Sequence, residues 1–452
     1  MSIELTTKSL KQDRQELADE SRAVFIWSIS VWLTVMNTTM FNVALPSVLV
    51  DFSLSKAAAS WIVSGYSIAF AISTITYSRL SDFIPLRRLI NIGITIFGIA
   101  SVIGFLAGSY EWLLTARLLQ AAGAGAVPAL GMVMASRYIP VTRRGKAMSM
   151  IASAASLGFG LGPIIGGVIT EYLGWSYLFV VTGLILLLLP FYQNLFPAEK
   201  AQKGRFDAVG AILTAVGVTS LLLFLSTFYY SLLIFGFAVL WSLRKHIQRM
   251  ERPFIQPELL RNRPYVMLLI IGFSAFFTHF SLLFLMPIML QELFGKDPSI
   301  IGMIIFPGAI LSAAAAQWIG RLIDRFGNKQ IIRSGHCLLG FSTVVFAVLS
   351  GFSPYVTLFG YIFTSVGFSA LTSSLANEIS RILPEKQIGA GMGMVQLIQF
   401  FGGAFGVAIV AFLMLWLKGV SPEAVYRNLY SGLTGLLVVS FVIFALYLRK
   451  RT

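Results

Sequence analysis

The chain has 452 residues, of which 57% are hydrophobic and only 12% charged. Soluble domains average about 25% charged residues, and no soluble fold of this length hides so much apolar surface. The composition therefore excludes a water-soluble enzyme or binding module and makes lipid the solvent. The net charge of +15 would suit nucleic acid, but its distribution along the chain excludes that use. The lone cysteine, Cys337, rules out an intramolecular disulfide and reads as a small core residue.

Residues 1–22 are polar and mixed in charge. The apolar stretch after them is too long for a signal-peptide core and reads as an uncleaved helix. A bilayer-spanning helix needs about 20 apolar residues. Such stretches fall at 24–48, 59–78, 90–108, 112–136, 147–170, 175–195, 208–226, 228–243, 265–289, 299–319, 331–350, 354–377, 390–416 and 430–448, fourteen spans in all, the eighth being the shortest. The positive charges orient them. With the N-terminus inside, 29 of the 34 Lys and Arg lie in inside segments. Four lie outside (Lys56, Lys296, Lys418 and Arg427) and one, Arg117, lies within a span. The positive-inside rule expects this bias. It explains the basic charge without nucleic acid and predicts an even helix count with both termini in the cytoplasm.

The chain repeats itself. A shift of 244 residues puts Arg137 and Pro140 on Arg381 and Pro384, and Gly123 on Gly367. It also puts Gly145, Met148 and Met150 on Gly389, Met392 and Met394, and Gly158 and Gly162 on Gly402 and Gly406. A shift of 242 puts Leu80 and Asp82 on Leu322 and Asp324. Such a repeat marks two homologous halves, as in many secondary transporters. The expected fold is all-α and integral to the membrane: two pseudo-symmetric six-helix bundles plus an inserted two-helix hairpin. The tail is 1–22, the first bundle 23–197, the linker with the seventh and eighth spans 198–263, and the second bundle 264–452.

The loop after the second span reads Ser78-Arg79-Leu80-Ser81-Asp82-Phe83-Ile84-Pro85-Leu86-Arg87-Arg88. The loop after the tenth reads Gly320-Arg321-Leu322-Ile323-Asp324-Arg325-Phe326-Gly327-Asn328-Lys329. Both resemble the major-facilitator loop motif Gly-x-Leu-x-Asp-Arg-x-Gly-Arg-Arg/Lys, the first departing at Ser78, Phe83 and Pro85. A tight basic loop is the physical need, and its carboxylate can pair with a cation at a neighbouring helix end. The repeat nominates Arg137 for Asp82 and Arg381 for Asp324. A carboxylate adds little to orientation, so charge for topology alone is the weaker reading.

The fifth span carries Gly158-x-x-x-Gly162-Pro163-x-x-Gly166-Gly167, with glycines at four-residue spacing on one face where another helix can approach closely. It looks like the motif of the exporter branch of the superfamily; plain helix packing is the alternative. The fourth span carries Arg117-Leu118-Leu119-Gln120-Ala121-Ala122-Gly123, which resembles the family's Arg-x-x-Gln-Gly-x-Gly with Ala121 in place of Gly. A charge at membrane depth is costly unless paired or wet. Gln120 lies one turn away on the same face, which favours a cavity-facing Arg117 over one that snorkels to the interface.

The resemblance covers almost the whole chain. It points to the fourteen-helix drug:proton antiporters and, within them, the tetracycline exporters of Gram-positive bacteria. Segments that look alike include Ser136-Arg137-Tyr138-Ile139-Pro140, Arg144-Gly145-Lys146-Ala147, Trp175-Ser176-Tyr177-Leu178 and Lys245-His246-Ile247. It implies proton-driven export of a drug-like compound by alternating access in a bacterial cytoplasmic membrane, by a monomer with no cofactor, no metal and no enzymatic activity. An exporter of an endogenous metabolite or siderophore, without proton coupling, would share the fold. A membrane enzyme would need clustered His or acids, and a channel or receptor does not account for the repeat and both loop motifs.

The departures matter. The family usually places an acid in the first span before Asn-Val-Ala-Leu-Pro; here Asn37 stands there. The tetracycline exporters resemble one another in a Glu within the fifth-span motif and another in the thirteenth span, where this chain has Phe159 and Gly402 or Gly403. No acid lies mid-span. Intramembrane carboxylates are the usual proton relays, so the remaining carriers are His279, whose ordinary pKa suits the task, and Glu378 at the inner end of the twelfth span. A hydrogen-bonded helix-contact histidine is the other reading of His279; His336 reads as structural. Candidate cavity residues are Asn37, Thr38, Thr39, Asn42, Trp61, Tyr66, Gln120, Phe276, His279, Gln396 and Gln399, a mixture of apolar walls and few polar groups that suits a small molecule.

Overall fold

A chain out of water must satisfy its backbone hydrogen bonds internally, and the apolar stretches do so as helices. The computed structural model describes residues 17, 19–54, 56–197, 199, 206–250, 253–296, 298–384, 387–417 and 419–449, among which there are helices and no strands. They are α1 (Glu20–Asp51), α2 (Lys56–Leu80), α3 (Leu86–Phe105), α4 (Tyr110–Ala124), α5 (Ala126–Tyr138), α6 (Val141–Tyr172), α7 (Tyr177–Gly183) and α8 (Leu189–Leu195). There follow α9 (Ala208–Thr227), α10 (Tyr230–Ile247), the short α11 (Pro257–Arg261), α12 (Arg263–Phe294), α13 (Pro298–Phe326), α14 (Asn328–Leu349), α15 (Pro354–Ile382), α16 (Ile388–Trp416) and α17 (Pro422–Arg449). Side chains cap several starts: Asp19 accepts from Arg22 N at 3.0 Å, Asp207 from Gly210 N at 2.8 Å and Asn262 from Tyr265 N at 3.2 Å.

Two expected spans are interrupted. The fourth breaks at Gly125 into α4 and α5, where α2 presses in: Ser73 Oγ donates to Ala121 O at 2.9 Å, and a side chain at 125 would stand 2.7 Å from Thr74 N. The sixth passes through a 3-10 turn, Leu184–Leu188, between α7 and α8. Pro190 sits at the start of α8 and has no N–H to bond back along the helix.

Ten helices are long and apolar enough to cross a bilayer among the described residues, or eleven if the bent α13 counts as one span, against the fourteen stretches expected. The three stretches not counted are α2 and the two helices of the hairpin; α2 and α9 contain side chains outside the described ones, which shortens the run that can be counted. In the hairpin α9 counts as the shorter apolar helix Ala208–Leu221, and α10 ends in Arg244, Lys245 and His246.

The helix pairings repeat. α1 packs along α6 as α12 does along α16, and α3 along α4 as α14 does along α15. α6 crosses to α13 as α16 crosses to α2, making two seams between the repeats. The hairpin packs on itself and lays α9 against α2 and α16. Cys337, expected in the core, is exposed.

Candidate functional site

Arg117 is fully buried, with 0% exposure, which excludes snorkelling. Its Nη1 donates to Asn37 Oδ1 at 3.1 Å and to Gln120 Oε1 at 3.0 Å. The guanidinium carbon lies 4.0 Å from the ring centres of both Phe41 and Tyr66, so two π-faces stabilise the charge. Asn37 Nδ2 donates to Tyr66 Oη at 3.2 Å and Gln120 Oε1 at 3.3 Å, while Gln120 Nε2 donates to Ser101 at 2.8 Å and Thr182 at 3.1 Å. The network ties α1, α2, α3, α4 and α7 together without a carboxylate. Among the described residues Arg117 Nε and Nη2 have no hydrogen-bond partner.

The expected cavity residues do not form one set. Asn37, Tyr66 and Gln120 meet at Arg117. Thr39 Oγ1 instead donates to Met36 O at 3.2 Å and Gly158 O at 3.3 Å, on the α1–α6 contact, and Thr38 bonds back to Thr34 O. Trp61 is 38% exposed and joins neither group. The side chain of Asn42 lies outside the described residues. Phe276 and His279 on α12, and Gln396 and Gln399 on α16, are buried in the second repeat. His279 is not the hydrogen-bonded contact expected as its alternative: both ring nitrogens are buried and without a partner, and the ring lies parallel to Phe368 at 3.9 Å. His336 is structural in geometry, with Nδ1 bonded to Ile332 O at 2.9 Å and Nε2 to Ser440 at 3.0 Å. Glu378 accepts from Asn328 at 2.8 Å and from Tyr447 at the end of α15.

The exporter-motif glycines have a plain physical reason. A Cβ at Gly158 would stand 2.8 Å from Met36 N, one at Gly166 2.7 Å from Met40 O, and one at Gly162 would collide with Thr39 Oγ1. Their repeats, Gly402 and Gly406, press α16 onto α12 in the same way, 2.7 Å from Phe273 O and 2.6 Å from Phe277 O. Pro163 and Gly167 are half-buried in α6.

At the basic ends, each loop carboxylate reaches across a seam. Asp324 meets Gly145 in the first turn of α6, where a Cβ would lie 2.6 Å from Oδ1, and Asp82 meets Gly389 in the first turn of α16. Helix N-termini favour anions, and only a missing side chain lets the carboxylate this close. Gly327 turns the second loop at φ +80°, which favours glycine. Arg325 lies on the Phe326 ring at 5.2 Å; Arg88 is exposed and Arg87 half-buried. The expected ion pair of Arg137 with Asp82 is present, but Arg137 is not its nearest cation. Asp82 is held first by Arg79 at 2.6 Å, with Arg137 only at 3.8 Å. Arg381 and Lys146 act on Asp324 from farther off, with no ion pair to it among the described residues. Burial holds the Asp82 carboxyl above the usual carboxylate range, and Arg79 and Arg137 offset that only in part.

Sequence reasoning missed three parts of this face. Arg79, counted only as topological charge, also donates to Pro253 O at 2.9 Å. Glu199 accepts from Leu86 N at 2.6 Å and from Tyr138, docking the start of the 198–263 linker on the loop. Asp207 accepts from Gly210 N, from Phe254 N at 2.9 Å and bonds His246 Nε2 at 2.8 Å. Burial alone would raise the Asp207 carboxyl, but these bonds outweigh it and hold it below the usual range. Its contribution is therefore present above the ordinary carboxylate pKa and lost only as pH falls through the depressed value.

A family profile described as Major Facilitator Superfamily matches residues 27–407 and, separately, 268–452. The chain belongs to the Major Facilitator Superfamily. It is similar to the riboflavin transporter RibZ of Clostridioides difficile (strain 630), 26% identical over 394 residues, covering 85% of this chain and 86% of that protein. It is also similar to the multidrug resistance protein Stp of Mycobacterium tuberculosis (strain ATCC 25618 / H37Rv), 25% identical over 405 residues, covering 86% and 75%. The putative multidrug resistance protein MdtD of Escherichia coli O6:H1 is 26% identical over 424 residues, covering 88% and 87%. A crystal structure of the human organic anion transporter MFSD10 shares the fold, with a TM-score of 0.73 at 16% identity over 94% of this chain and 99% of that one. The chain is thus a multi-pass membrane protein of a transporter superfamily.

The superfamily's loop motif departs here at Ser78, and the opposite helix compensates. Gly320 of the second loop faces Ser149 of α6, whereas Ser78 of the first faces Gly393 of α16 and donates to Gly389 O. A shift of 244 maps Ser149 onto Gly393 and a shift of 242 maps Ser78 onto Gly320, so the small and hydroxyl partners are exchanged between the seams. Gly393→Ser alone is expected to cut transport about tenfold or more through overpacking. The double variant Ser78→Gly/Gly393→Ser is expected to recover most of it. Transport rates at equal membrane abundance check this, and an unimpaired Gly393→Ser would contradict the packing.

Proposed function

We propose that the protein is a secondary active transporter that exports a small molecule across the bacterial cytoplasmic membrane by alternating access. The observation that carries this is the pair of pseudo-symmetric contacts, Asp82 on Gly389 and Asp324 on Gly145, which close the two repeats together at their basic ends. They form a gate that must part for substrate to enter from the cytoplasm. In this reading the chain crosses the membrane fourteen times as a monomer, with bundles 23–197 and 264–452, the hairpin in 198–263, and both termini in the cytoplasm. A cysteine at Gln248 should then react only with a reagent applied from the cytoplasmic side; labelling from outside would refute that topology.

The relatives' names, multidrug resistance and riboflavin transport, support an organic substrate. A tetracycline-type antibiotic is one candidate and an endogenous metabolite the other. Proton coupling, with His279 or Glu378 as carrier, is part of the proposal. Inverted vesicles with an imposed pH gradient are expected to accumulate riboflavin or tetracycline in proportion to the gradient. Accumulation that ignores the gradient, or that survives replacement of both His279 and Glu378, would remove the coupling scheme.

A further inference from the structure

We infer that the place where α12 packs on α15 and α16, closed by Phe159 of α6, is a binding site for an uncharged, planar heteroaromatic substrate, with His279 and Gln399 as its two hydrogen-bonding ends. This rests on the transporter reading and names its substrate class. A buried polar group without a partner is rare and calls for an explanation. Among the described residues His279 is 1% exposed with neither nitrogen bonded; Gln399 is 5% exposed and makes no hydrogen bond, its amide keeping slight access to solvent.

The two groups belong to one arrangement. Gly272, Phe276 and His279 follow one another at helical spacing on one face of α12. Gln399 sits opposite Gly272, where a Cβ would stand 3.3 Å from its Nε2. Seven residues of helix put His279 about 10 Å farther along. Aromatic rings fill the length between: Phe276 lies 5.0 Å from Phe368 and 5.6 Å from Phe400. Phe159 brings a ring from α6, in the other repeat, to 6.3 Å from His279. Planar faces along the site and hydrogen-bonding groups at its ends suit a fused ring system with polar edges. The stacked Phe368 shows the geometry in miniature, with an aromatic plane parallel to the imidazole at 8°.

Charge narrows the class. Among the described residues the buried acids are Asp207 and Glu378, one in the linker capping α9 and the other at the end of α15, and the buried ions of the other repeat are the cations Arg79, Arg117 and Arg144. A cationic ligand would have no counter-charge in a low-dielectric site. Because Phe159 comes from the opposite repeat, the site opens when the repeats part, and the orphaned nitrogens then gain a partner.

The test uses the full chain in proteoliposomes with riboflavin as the neutral planar probe, ethidium as the planar cation and tetracycline as a second organic solute. Riboflavin is expected to be moved and ethidium not. Measured as downhill riboflavin entry with no pH gradient imposed, so that proton coupling does not enter, His279→Phe, which keeps a ring and removes the nitrogens, and Gln399→Leu should each raise the riboflavin KM about tenfold. His279→Gln, which keeps a donor and an acceptor, should stay within about threefold of the native value. Ethidium or tetracycline moving while riboflavin does not, or an unchanged KM in both His279→Phe and Gln399→Leu, would overturn the inference. If none of the three probes moves, this inference falls, while the transporter reading, which also admits an endogenous metabolite, stands.

Discussion

Replacing Arg117 with methionine is expected to abolish transport while leaving the folded protein at least as stable as the native one. The guanidinium is fully buried, and among the described residues its side-chain acceptors are two amide oxygens while Nε and Nη2 have no hydrogen-bond partner. A buried ion without a counter-ion is costly to desolvate, and removing that cost offsets the loss of its bonds to Asn37 and Gln120. Nothing in the fold therefore needs the charge; its retention points to the transport cycle. Arg117→Lys is expected to fail as well, by about tenfold or more, because a point charge cannot fill the slot between Phe41 and Tyr66 and reach both Asn37 and Gln120. Thermal unfolding in detergent and initial transport rates are the measurements. Unimpaired transport by Arg117→Lys, or a large loss of stability in Arg117→Met, would show the residue to be structural.

Gly162→Leu is expected to insert into the membrane and transport nothing. A Cβ at 162 already collides with Thr39 Oγ1 and lies 2.9 Å from Met36 O, so the neighbour that must give way is partly the backbone of α1. Overpacking of a side-chain contact costs about 1–3 kcal/mol, and a backbone contact yields less readily. α1 also carries Asn37, so forcing it from α6 pulls on the Arg117 network. Val168→Leu on the same helix is the control, because Val168 is 52% exposed and is expected to change nothing. Normal transport by Gly162→Leu at normal abundance would mean that the two helices need not be close.

The helices and the paired architecture were legible because lipid imposes a length and the repeat imposes a correspondence. The 244-residue shift that matches Gly158 with Gly402 predicts two close contacts, and both exist. The gate carboxylates were legible as motif positions, but their nearest partner was not. Arg79 lies three residues from Asp82 and looks like any other basic loop residue, and only the fold brings Pro253 O to its other nitrogen. The breaks at Gly125 and at 184–188 were hidden because composition measures apolarity, not which helix presses on which. His279 was recognisable as the lone mid-span histidine, but its lack of a hydrogen bond depends on Phe368, Tyr361 and Phe159 arriving from other helices.

The central claim is that the contacts between the repeats at their basic ends open and close. In the closed form Gly145 and Asp324 touch, and Arg143, 64% exposed, and Arg325, exposed, stand close to each side of that contact. Spin labels on Arg143→Cys and Arg325→Cys, with Cys337→Ser to remove the exposed native thiol, report the separation by pulsed dipolar spectroscopy in reconstituted protein. The account predicts two distance populations, a short one matching this structure and a longer one whose share changes with substrate or with pH. A single short distance under every condition would contradict it.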